Sequence, residues 1–138
     1  METFTIDRDI SVVRVAAATF PDGVLAAHQQ LHQAFSPECF LQYYGISQGS
    51  PDGRILYWAA GELVPGEDTQ KPGVELFVLR QGRYAGVDID NYMQNPAAIG
   101  QCFEQLLQHP ALDPNGYCLE WYITRDLVRC MVRLNQEA

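Results

Sequence analysis

Glu120 stands in the run Leu119-Glu120-Trp121-Tyr122, a single carboxylate between a leucine and two aromatic rings. A carboxylate partly withdrawn from water attracts cations more strongly than one in bulk solvent, because the local dielectric is lower. Aromatic faces add about 0.5–2 kcal/mol each for a cation held against them. Together these groups suit a flat, lipophilic organic cation. The other chemistry-bearing residues lead less far. His28 and His32 lie four apart at metal-compatible spacing, but HQQLHQ offers no third ligand and reads as a solvated helix face. Asp88-Ile89-Asp90-Asn91 lacks the glycine and distant glutamate of a calcium loop. Cys39, Cys102, Cys118 and Cys130 are widely spaced with no C-x-x-C, which is the usage of small buried hydrophobes. With no nucleophile–base motif, phosphate loop or metal-spaced cluster, neither a metal nor a cofactor is expected.

Elements that would position Glu120 follow from periodicity. Residues 10–18 read as a Val/Ile-rich strand. Phe20-Pro21-Asp22-Gly23 is a turn in which Asp22 is expected to cap a helix running from Val24 to Phe35, and Ser36-Pro37 ends that helix. Two strands at 39–47 and 54–64 are joined by the turn-rich QGSPDG. After a polar linker at 65–73 the order restarts: strand-like residues 74–90 broken at Gln81-Gly82-Arg83, then a helix opened by Asn95-Pro96 with Asn95 as expected N-cap, then strands at 117–124 and 127–134.

Both halves read strand, helix, strand, strand. Leu41-Gln42-Tyr43-Tyr44 falls on Leu119-Glu120-Trp121-Tyr122, and Leu31, Ala34 and Phe35 fall on Phe103, Leu106 and Leu107. Repetition of a whole supersecondary order predicts an α+β domain of duplicated βαββ units, one curved antiparallel sheet with two helices on one face. The repeats would span about 10–64 and 74–134 within a single domain. Side chains alternate along a strand, so Glu120 shares a face with Cys118 and Tyr122. A carboxylate beneath a packed helix loses several kcal/mol of solvation unless paired. Glu120 and Tyr122 are therefore expected on the helix-free face. Carrying the alternation across the repeat adds Gln42 and Tyr44, and the neighbouring strands add Trp58 and Met131. A solvated Glu120 paired with Arg129 is the competing structural reading.

Composition bounds the function. The 138 residues are 47% hydrophobic and 19% charged, enough for one globular domain with a sizeable core. Seventeen acids against nine bases give a formal charge of −8, the wrong field for a phosphate backbone and a favourable one for cationic small molecules. Direct nucleic-acid binding is not expected. No apolar run nears the roughly 18 residues needed to span a bilayer, and METFTIDRDI has no signal-peptide pattern, so a cytoplasmic protein without a membrane partner is expected.

The βαββ order, Gly82-x-Tyr84-Ala85 and the hydrophobic-Glu-x-Tyr strand at 119–122 resemble the GyrI-like domain, the effector-binding domain of AraC- and MerR-type multidrug-responsive transcription regulators. The likeness runs from about Ile10 to Leu134. It implies a regulatory-factor effector-binding fold that takes cationic, lipophilic ligands in a groove at the junction of the repeats, with Glu120 as charge partner and Tyr122 and other aromatic residues as walls. Regulators of this type carry a helix-turn-helix before the domain. Here about nine residues precede the first strand, so the expectation is a free-standing version acting through a ligand or a protein partner. Two further readings come with the resemblance. One is a small hydrolase of reactive, cyclopropane-containing natural products with Glu120 as acid or base; the other is a gyrase-inhibitor-like protein-binding module.

Overall fold

The structure, a computed structural model, describes residues 1–136. In chain order they form β1 (Glu2–Ile6), β2 (Ile10–Ala16), α1 (Val24–Ala34), β3 (Phe40–Gly49), β4 (Ile55–Leu63), β5 (Glu75–Leu79), β6 (Gly82–Asp90), α2 (Ala97–Leu106), β7 (Cys118–Tyr122) and β8 (Leu127–Arg133). Short 3-10 turns lie at Pro37–Cys39 and Tyr92–Gln94. The class is α+β, with antiparallel strand pairing. Strand β1 was not anticipated; Phe4 and Ile6 alternate with Thr3 and Thr5, a half-buried strand pattern too short to stand out. No helix among the described residues is long and apolar enough to cross a membrane.

The chain forms two compact units, Ile10–Leu79 and Met1–Asp9 with the chain from Arg80 onward. The division between these units falls between Leu79 and Arg80. Strand β5 turns back to pair with β2, placing Arg14 beside Glu75 and Val12 beside Phe77.

In the unit Ile10–Leu79 the strands lie side by side as β5-β2-β4-β3. Val13, Val15 and Ala59 on one face pack against Ala27 and Leu31 of α1 and against Phe35. The helix closes over this face because Ala27 and Leu31 recur at a four-residue step, each burial contributing up to about 1.5–3 kcal/mol for the larger side chain. Gly23 occupies the N-cap with no side-chain cap bond, so Asp22 does not cap. A Cβ on Gly23 would come 2.7 Å from the Thr19 carbonyl oxygen, and close approach explains the residue.

In the other unit the order is β1-β6-β8-β7. Ala85, Val128, Cys130 and Val132 form the covered face, with Phe103 and Leu106 of α2 above them. Leu107, expected to join that stripe, is the helix C-cap and 49% exposed. Pro96 takes the N-cap in place of Asn95, again with no side-chain cap bond.

Candidate functional site

The position of Glu120 is fixed by the register of β7 on β8. Cys118 opposes Val132, Glu120 opposes Cys130, and Tyr122 opposes Val128. Directly opposed residues share a face. Val128, Cys130 and Val132 are the residues beneath α2, so Glu120 and Tyr122 lie on the helix-bearing face of their unit, not on the helix-free face expected from desolvation alone. Two facts account for the difference. The opposite face is also buried at its centre, with Leu119 at 0% and Met131 at 2% exposure directly opposed there, so it offers the carboxylate no open position. And α2 rests chiefly on β6 and β8, so β7 runs beside the helix and Glu120 stays partly open.

Around the carboxylate, Tyr122 donates its hydroxyl to Glu120 Oε1. The Tyr122 ring lies 5.7 Å from that of Tyr92, which comes from the turn after β6. Burial pushes the Glu120 carboxyl above the usual carboxylate range, and the Tyr122 bond draws it partly back. The Tyr92 phenol is raised by burial, then by Asp126 and by Glu120 itself. Cys130 is raised by burial, then by Glu120 and by the thiols of Cys102 and Cys118, so the thiol opposite the acid is protonated and poorly nucleophilic. Those sulfurs and Glu120 are not arranged to hold a metal: no group of three such ligands occurs among the described residues.

No cation pairs with Glu120 among the described residues. Arg129, its competing partner, opposes Trp121 on the other face and binds Asp88 through Nε at 2.7 Å and Nη2 at 3.1 Å. The same guanidinium lies over Phe4, 3.9 Å from the ring centroid.

The remaining expected residues divide between the two units. Met131 points the opposite way from Glu120 and packs over Gly86, where a Cβ would come within 2.8 Å of its Cγ; it is a core residue. Gln42, Tyr44 and Trp58 belong to the unit Ile10–Leu79. There they lie on the helix-free face, with Gln42 opposite Glu62, Tyr44 opposite Ala60, and Trp58 opposite Ile46. The residues matched by LQYY and LEWY therefore sit on opposite faces relative to the helix of their own unit.

Trp58 already holds a cation. The Arg14 guanidinium carbon lies 4.0 Å from its ring centroid and 4.1 Å from that of Phe77. Trp58 Nε1 donates to Glu75 Oε1 at 3.1 Å, and Arg14 Nε stands 3.7 Å from the same oxygen. Sequence reasoning missed Arg14, although a lone arginine inside ISVVRVA demands a partner for its charge. Tyr92 was missed as well, because only the turn after β6 carries it back to β7.

Taken alone, the Glu120 cluster is a desolvated acid with one hydroxyl donor and two phenol rings on an antiparallel α+β scaffold. No protein-family model matches the chain, and no curated protein matches its sequence. Among solved structures, an integron cassette protein from the mobile metagenome of Vibrio cholerae superposes with a TM-score of 0.67 at 12% identity, covering 96% of this chain and 94% of the other. At that identity the likeness is one of fold.

Proposed function

We propose that the protein binds cationic, lipophilic aromatic small molecules, with Glu120 as charge partner and Tyr122 and Tyr92 as the adjoining rings. The observation that carries this reading is the lack of a positive mate for Glu120 among the described residues, despite the burial that raises its carboxyl. An acid largely withdrawn from water and without a cation is costly to ionise, and an incoming cation offsets that cost while gaining two aromatic faces. The resemblance to GyrI-like effector-binding domains points the same way. So does the repetition of element order: β2-α1-β3-β4 in one unit and β6-α2-β7-β8 in the other, with strand orders that correspond place by place once β5 is matched to β1. We read this as a duplicated βαββ unit.

Titration with rhodamine 6G, followed by fluorescence polarisation, tests the proposal. Micromolar affinity corresponds to about 8 kcal/mol, and Glu120→Gln should weaken binding roughly tenfold or more. Equal affinity in the variant rejects the assignment.

The raised carboxyl also favours a second reading, a hydrolase in which protonated Glu120 gives its proton to the carbon released as a strained ring C–C bond breaks, water adds to the other carbon, and the Glu120 carboxylate takes up the proton that water loses. Catalytic turnover of a cyclopropane-containing electrophile, abolished by Glu120→Gln, would support it; merely stoichiometric loss would count against it.

A further inference from the structure

Within the unit Ile10–Leu79 lies a cleft of about 450 Å³ between the segment Ala16–Phe20 and the start of β4. That volume is in the range of small-molecule sites. Three large apolar residues line it while remaining exposed: Phe20 at 43%, Ile55 at 50% and, on the opposite face of β4 from Ile55, Leu56 at 37%. Trp58 also lines it. Behind Phe20, Tyr57 is stacked at 5.9 Å between centroids and tied through its hydroxyl to His28 Nε2 at 2.9 Å, so the aromatic floor is braced from the helix side.

The cleft also exposes backbone. Ala17 N donates to the Tyr57 carbonyl at 2.8 Å, so Tyr57 directs its peptide groups toward β2. Peptide groups alternate sides along a strand, and Ile55, two residues earlier, directs its N–H and carbonyl the same way. By that point the chain before α1 has turned off at Thr19 and Phe20. On the other side, Ser50 N donates to the Arg54 carbonyl at 2.8 Å, keeping β4 paired with β3. A short edge of β4 is thus left with one donor and one acceptor facing an apolar cleft, the arrangement that takes up an added strand.

We propose that this cleft binds a dipeptide-sized neutral amide carrying one aromatic or branched aliphatic group. The ligand amide pairs with Ile55 as a short antiparallel extension, and its apolar group rests against Leu56 and Trp58. The free edge is one residue pair long, which limits the ligand to about two residues at 3.3 Å per residue. The lining contains no carboxylate, and Arg54 stands at its rim, bound to Asp52 at 2.7 Å. The site therefore disfavours the cations proposed for Glu120, and the two readings stand or fall separately.

The test is a titration of the whole protein with N-acetyl-L-phenylalaninamide, followed by backbone and indole amide NMR. Saturable shifts are expected at Ile55 and at the Trp58 indole, with no change at Glu120 or Tyr122. Leu56→Ser, at an exposed position, should weaken binding roughly fivefold to tenfold, and the fully N-methylated ligand, which has no N–H, at least as much. Equal affinity for the N-methylated ligand overturns the strand-edge pairing. Absence of saturable shifts at Ile55, with the spectrum otherwise that of the folded protein, overturns the site.

Discussion

Glu120 on β7 directly opposes Cys130 on β8, so a carboxylate stands across from a thiol on a face whose other members are apolar. A thiol is a weak donor and gives an ionised acid little support. The firm hydrogen bond to Glu120 comes from the Tyr122 hydroxyl on the same strand. This pairing makes the charge of Glu120 a burden on the unliganded fold and an asset to a bound cation.

Stability should register that burden. The folded carboxyl titrates above its unfolded value of about 4.3, so the folded state binds the extra proton and stability falls as pH rises through that interval. Below the unfolded value both states are protonated and nothing is lost. Glu120→Gln should therefore raise Tm at pH 8, with the gain disappearing near pH 4. Denaturation of both proteins at the two pH values decides it; a difference independent of pH would mean that ionisation of Glu120 carries no penalty.

Ligand affinity should run the other way with pH. Rhodamine 6G keeps its charge across this range and needs ionised Glu120, so its affinity should rise as pH passes upward through the raised carboxyl pKa. In Glu120→Gln the profile should be flat. A wild-type profile that is also flat would remove Glu120 as the charge partner.

How much of this was legible in the sequence depends on which distance each residue had to bridge. The strands and helices around Val13, Leu31, Phe103 and Val132 followed from local periodicity, and their boundaries moved by only a few residues. The face of Glu120 did not follow, because LQYY and LEWY match as strings while β7 and β3 meet their partners one residue out of phase. Glu120 opposes Cys130 beneath a helix, whereas Gln42 opposes Glu62 on the helix-free side. A slip of one residue reverses every side chain on a strand, and register is set by partners distant in sequence. Arg14 was hidden for a related reason: its sandwich needs β2 to lie between β4 and β5, and the return of β5 across the 65–73 linker leaves no local mark.

Gly61 offers a test of packing on the covered face of β4. A Cβ there would lie 2.4 Å from Phe40 Cε1 and 2.5 Å from Cδ1. Phe40 cannot retreat freely, since its ring meets Tyr43 at 4.7 Å, His32 at 5.8 Å and Phe35 at 6.0 Å. Gly61→Ala should cost about 1–3 kcal/mol in denaturant unfolding, the usual penalty for overpacking. Adding Phe40→Leu should recover part of it, giving a negative coupling energy. Strictly additive effects would show that the ring and the new methyl do not meet.

His28 supplies the last prediction, on the acid side. Burial, and after it the nearby His32, lowers its pKa from 6.5 to about 4. Its ring is held neutral against the Tyr57 hydroxyl at 2.9 Å. Here the unfolded state takes up the proton first as pH falls. The stability contributed is complete above the unfolded value and is lost between about pH 6.5 and pH 4. At 1.36 kcal/mol per pKa unit the loss is about 3 kcal/mol. His28→Gln keeps a side-chain polar group near Tyr57 and cannot titrate, so the difference in unfolding free energy between wild type and variant should shrink or reverse as pH falls from 7 to 4. Should the two curves stay parallel over that range, His28 is not the group that loosens the α1–β4 contact in acid.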